Sequence, residues 1–134
     1  IIAGEDKSAV SIIEAVDKLA AGPIYGQREF SLVGTLHEIL ERIVEVGTKE
    51  TVKVLDNIYE GKLKVKPQDE KLATIYKRRK PAKSEITTED IKKKTARQLY
   101  DFIRALANPY PNAFIRGKDG KKVLIKIAAL EDEK

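Results

Sequence analysis

The sequence has no cysteine, no methionine, no tryptophan and one histidine. Without cysteine there is neither a disulfide framework nor a thiolate metal site. A single imidazole leaves little for a histidine-ligated metal or a Ser-His nucleophile pair. No run approaches the roughly 18 consecutive apolar residues of a membrane span. The Ile1-Ile2-Ala3 start is too short for the apolar core of a secretory signal, and the expectation is a cytoplasmic protein with no membrane partner. No glycine-rich phosphate cradle follows a strand at Walker or dinucleotide spacing, so nucleotide hydrolysis is unsupported. A chain that opens on Ile1 and lacks methionine reads as a piece of a longer protein; a processed leader or a tagged form gives the same start.

What is present fits one domain or two small ones: 134 residues, 42% apolar and 35% charged. That composition supports a modest core and argues against wholesale disorder. The net charge of +5 is unevenly placed. Residues 62–94 hold twelve Lys or Arg against five Asp or Glu, a balance of +7, so everything outside them sums to −2. The positive charge therefore belongs to one segment, punctuated by Pro67 and Pro81, which reads as an extended basic linker.

Val10–Val16 and Pro23–Leu32, rich in β-branched residues or loosely alternating, are predicted strands, joined by a connector in which Gly22 frees the backbone and Pro23 restarts an extended run. Two such strands cannot cover their own edges, so they are expected to pair with another chain or with a part of the parent protein outside this sequence. Thr35-Leu36-His37-Glu38 is a capping box opening a helix at Leu36. Its apolar positions Leu36, Ile39, Leu40 and Ile43, then Val52, Leu55, Ile58 and Tyr59, keep helical spacing up to an end at Gly61, with an irregularity or a split at Gly47. Thr95-Ala96-Arg97-Gln98 is a second box, before Leu99, Phe102, Ile103 and Leu106 on one face and a stop at Asn108-Pro109. Ala113–Arg116, a Lys118-Asp119-Gly120-Lys121 turn and a strand over Lys122–Leu130, with Val123, Ile125 and Ile127 on one face, make a hairpin, and residues 131–134 read as a frayed tail.

Several words in this order carry a family resemblance: Gly4-Glu5, Val10-Ser11-Ile12, Leu19-Ala20-Ala21-Gly22-Pro23-Ile24 with Gln27, Pro67-Gln68, Ala73-Thr74, Tyr100 to Leu106, and Pro109-Tyr110-Pro111-Asn112-Ala113-Phe114. Together they resemble the formyltransferases, over nearly the whole chain. The resemblance implies an α/β fold: a partial sheet with a long helix from the end of a catalytic domain (1–61), a basic linker (62–94) and a small helix-plus-β-hairpin module (95–134). It also implies transfer of formyl from 10-formyltetrahydrofolate to an amine, on initiator methionyl-tRNA or on an amino-sugar nucleotide. The family's trio is Asn, His and Asp. The Asn and His belong upstream of anything here, and the Asp position of the Asp-Ala/Thr-Gly-Asp/Pro-Ile word is held by Ala20. Formyl transfer needs a proton acceptor and an oxyanion donor. Alanine supplies neither, so these residues alone are expected to be inactive, with no cofactor of their own.

The strongest binding signal is Lys77-Arg78-Arg79-Lys80, with Tyr76 adjacent and Lys92-Lys93-Lys94 nearby. Charge and an aromatic ring suit phosphate and base, so a polyanion- or RNA-binding module is the contrasting reading to a formyltransferase part; a solvated linker is the bland one. The resemblance carries tRNA contact onto this stretch, and equally the Lys/Arg-Arg-x-Pro word of amino-sugar enzymes. Arg104 and Tyr110 either face a substrate or brace the helix against the hairpin, with bracing the favoured reading. His37 reads as a surface histidine, and the pairs Asp69-Glu70 and Glu89-Asp90 as solvated charge.

Overall fold

The computed structural model describes residues 1–131. Its element order is β1 (Lys7–Ile13), β2 (Ile24–Ser31), α1 (Leu36–Tyr59), α2 (Thr88–Lys93), α3 (Ala96–Ala105), β3 (Ala113–Arg116) and β4 (Lys122–Ile125), with 3-10 turns at Glu70–Leu72 and Pro81–Ser84. The expected α/β mixture is present as two compact units. Residues 7–33 and 37–76 form one; residues 1–6, 34–36 and 77–134 form the other.

In the first unit, β1 and β2 pair with each other, antiparallel, from Lys7↔Ser31 to Ile13↔Ile24, with an irregularity at Ile12/Ile13. An isolated bridge, Ile24↔Lys66, adds to β2. Helix α1 runs unbroken through Gly47, contrary to the irregularity expected there. Its inward face carries Ile39, Glu50 and Val54, each under 4% exposed. Val52, Leu55, Ile58 and Tyr59, expected on that face, lie outside it at 48–93% exposure. Two apolar stripes run along this helix, and the buried one is continued at position 50 by a glutamate that finds a partner. Beyond Tyr59, Gly61 (φ +67°) closes the helix: its N–H meets the Ile58 carbonyl, and the Lys62 N–H meets that of Asn57. This is the glycine-terminated helix end in which a left-handed residue satisfies the last carbonyls.

In the second unit, Ile86, Phe102, Leu106 and Ala113 make the core, packed by Leu99, Ile103 and Ile125. The Thr95 box forms as expected, its side chain accepting from the Gln98 N–H. Two expectations are corrected. Residues 62–94 are not simply extended: Thr87 and Asp90 form a third capping box that starts α2, supported by Glu89–Lys93 and Asp90–Lys94 pairs one turn apart. The last strand stops at Ile125 instead of Leu130, because β3 is only four residues long and its register ends at Ala113↔Ile125. Beyond that point the chain pairs with no strand among the described residues, and Ile127 is 89% exposed. Of the expected tail, residues 132–134 lie outside the described residues.

Candidate functional site

Within the second unit, the basic segment and the end of α3 enclose a groove of about 470 Å³. Leu106, Ala105, Pro81, Pro111 and Ile2 supply apolar walls, Tyr110 an aromatic ring and Ser84 a hydroxyl; Arg78, Arg79 and Lys80 supply charge, and no carboxylate lines it. Local backbone places these groups. Lys80 is extended (φ −99°, ψ 145°), and Pro81 opens the following 3-10 turn, where its missing N–H is no loss. Arg79 fastens the segment: its Nη2 donates to the Lys83 carbonyl at 2.6 Å, and its guanidinium lies 5.1 Å from the Phe102 ring centre. Such a contact contributes about 1 kcal/mol where partly exposed. Arg78 and Lys80 have no carboxylate partner among the described residues, and neither has Lys77, which stands outside the lining. A cationic rim on an apolar cleft attracts anions and leaves room for a flat, weakly polar group.

The other candidates fall elsewhere. Lys93 and Lys94 are tied to Glu89 and Asp90, and Lys94 also sits 5.0 Å from the Phe102 ring. Hydrogen bonds from Lys94 and from Thr87 hold the Asp90 carboxyl far below the usual range. Asp69 caps a 3-10 turn through the Lys71 N–H, and Glu70 pairs with Lys18 at 2.5 Å. Tyr76 is 82% exposed. His37 is a surface side chain 3.3 Å from Glu41. No cluster of three metal-ligating side chains exists among the described residues.

Arg104 braces the fold. Its Nε donates to Asp101 Oδ1 at 2.6 Å and its Nη1 to the Gly34 carbonyl at 2.8 Å, and its side chain is 6% exposed. Asp101, 1% exposed, also accepts from Arg97 Nε at 2.8 Å, while Arg97 reaches Asp6 at 3.3 Å. Sequence reading passed over Asp101. Its signal was there: arginines four residues before and three after it share its helix face. Glu50 was also missed. It is 2% exposed and accepts from Arg28 Nε at 2.8 Å, and a lone glutamate on a core stripe gives no warning of that.

Around Ala20 two of the family-like words, Leu19–Ile24 and Pro67-Gln68, meet in space. Gln68 Nε2 donates to the Ala20 carbonyl at 3.0 Å and the Gly22 carbonyl at 2.6 Å. The Glu14 N–H meets the Pro23 carbonyl at 3.0 Å, closing the connector. A Cβ on Gly22 would stand 2.0 Å from the Glu14 carbonyl oxygen, so only glycine fits. Ala20 itself is left-handed, φ +55°, the one described non-glycine residue with positive φ. That region suits Gly, Asn and Asp, and strains alanine by about 1 kcal/mol.

Comparison with known proteins places these features. Residues 81–133 match the family described as methionyl-tRNA formyltransferase, C-terminal domain. Residues 81–133 thus belong to that C-terminal-domain family, and over nearly its whole length the chain is similar to formyltransferases. Among curated relatives, the methionyl-tRNA formyltransferase of Sulfurihydrogenibium sp. is 29% identical over 98% of the chain and 41% of its own length. The chain thus spans about two fifths of that relative. The solved methionyl-tRNA formyltransferase from Clostridium thermocellum is 26% identical with a TM-score of 0.69, over 92% of this chain and 56% of that one. HypX from Aquifex aeolicus, solved in complex with tetrahydrofolic acid, shares the fold at 21% identity and a TM-score of 0.73, over 92% of this chain and 21% of that one. The matched C-terminal part contains Pro81, Ser84, Leu106 and Tyr110 of the groove. No helix among the described residues is long and apolar enough to cross a membrane.

Proposed function

We propose that these 134 residues serve a formyltransferase by gripping its anionic acceptor, initiator methionyl-tRNA, and do not themselves move the formyl group. The observation that carries this is the groove, where Arg78 and Lys80 face an acid-free cleft without carboxylate partners. The methionyl-tRNA relatives support tRNA as acceptor over an amino-sugar nucleotide. The left-handed backbone at Ala20 supports the reading that the position suits an aspartate, with the conformation outlasting the carboxylate. On this reading 10-formyltetrahydrofolate is the donor used by the parent enzyme, and the Asn and His that act on it stand outside these residues. Strand pairing of β1 with another part of that enzyme belongs to the same proposal, as does the division into catalytic-domain end, basic segment and C-terminal module.

The test is the salt dependence of tRNA binding, followed by fluorescence anisotropy. The Lys77→Ala/Arg78→Ala/Lys80→Ala variant, which spares the structural Arg79, is expected to lose about a hundredfold in affinity and to flatten the salt slope by about 2 to 3. Equal binding by variant and wild type contradicts the proposal. Displacement of tRNA by a nucleoside-diphosphate amino sugar at micromolar concentration reassigns the acceptor.

A further inference from the structure

Resting on the reading that this groove holds the anionic acceptor, we infer that it takes one unstacked nucleotide of a single-stranded RNA segment, with the base against Tyr110 and the flanking phosphates on Arg78 and Lys80. Two chemistries meet in the same cleft. The cations require a polyanion, yet a duplex backbone offers phosphates alone and has no use for the apolar walls of Leu106 and Pro111. An unpaired nucleotide offers both, a charged phosphate joined to a flat π-face, and single-strand binding sites combine cationic tracks with aromatic platforms for this reason. The volume, about 470 Å³, lies in the range of small-molecule sites.

Tyr110 is prepared for such a role. The residue is 51% exposed, while its N–H is fixed to the Ala107 carbonyl at 3.0 Å and prolines precede and follow it. The backbone that carries the ring is therefore held before any ligand arrives, which lowers the entropy lost on binding. The phenol has no hydrogen-bond partner among the described residues, so stacking disturbs no internal bond.

The experiment uses the full chain with two probes: a 12-nucleotide single-stranded RNA carrying 2-aminopurine, and a blunt RNA duplex of matched charge. Tyr110→Ala is expected to weaken single-strand binding about tenfold, to leave duplex binding and the salt slope unchanged, and to abolish the 2-aminopurine quenching expected with wild type. Tyr110→Phe, which keeps the ring, is expected to retain both affinity and quenching, and so separates stacking from damage to the fold. Unchanged single-strand binding by Tyr110→Ala, with loss in the Lys77→Ala/Arg78→Ala/Lys80→Ala variant, overturns the inference and leaves the acceptor-grip reading standing. Tighter binding of the duplex overturns it as well. Failure of wild type to bind either RNA overturns both.

Discussion

Exchanging Asp101 for asparagine is expected to destabilise the C-terminal unit by about 3 kcal/mol, read as a lowered urea midpoint with little change in slope. The side chain is nearly the same size, so the loss is electrostatic. Asp101 is 1% exposed and accepts from Arg97 and from the buried Arg104, and removing its charge weakens both charge-assisted bonds inside the fold. Breaking a buried ion pair by neutralising one partner costs more than the intact pair contributes. The same residue sets a pH signature. Burial pushes the Asp101 carboxyl up, but hydrogen bonds and charge from Arg97 and Arg104 outweigh it and hold the group below its ordinary value. A carboxylate whose folded pKa is depressed contributes stability that is present above its unfolded value, near 4, and is lost as pH falls through the folded value. Wild type should therefore lose stability below about pH 4 more steeply than Asp101→Asn does. Parallel pH profiles for the two proteins contradict the assignment.

Gly22→Ala is expected to have an effect of similar size in the other unit, about 3 kcal/mol or more. The added carbon would stand 2.0 Å from the Glu14 carbonyl oxygen and 2.8 Å from its carbon, both backbone atoms that no rotamer change can move. The connector has to open, disturbing the Glu14–Pro23 bond and the two bonds from Gln68. Gly47→Ala is the matched contrast. There the new carbon meets Val10 at an ordinary 3.6 Å inside a continuous helix, where alanine is favoured over glycine by up to about 1 kcal/mol. Urea melts of the two variants should move in opposite directions from wild type. A mild effect at position 22 contradicts the packing described around Ala20.

Much of this was legible before any coordinates. Both expected helix starts are where short side chains precede the first apolar turn, and the Gly61 stop is where glycine permits a left-handed closure. Two words of the family resemblance, Leu19–Ile24 and Pro67-Gln68, meet at one connector. What was not legible has physical causes. The second half of α1 offers two apolar stripes, and which is buried was decided by Glu50 finding Arg28, a long-range partner that periodicity does not encode. The length of β4 was set by its short neighbour, not by its own run of branched residues. The α2 capping box was hidden by the surrounding lysines, whose density made a folded element look like linker. In the basic cluster, sequence could mark the charges but could not say that Arg79 serves the core while Arg78 and Lys80 face a cleft. Tyr110 gained its significance only from standing beside them.

The separation of acceptor binding from chemistry is tested most directly by a formylation assay on the 134-residue chain, with labelled 10-formyltetrahydrofolate and methionyl-tRNA at concentrations where tRNA binding is shown to be saturated. The expected result is bound tRNA with no label above the protein-free control. Formyl-methionyl-tRNA accumulating in proportion to the chain would contradict the account, because it would require a proton acceptor and an oxyanion donor among residues assigned here only to grip and support.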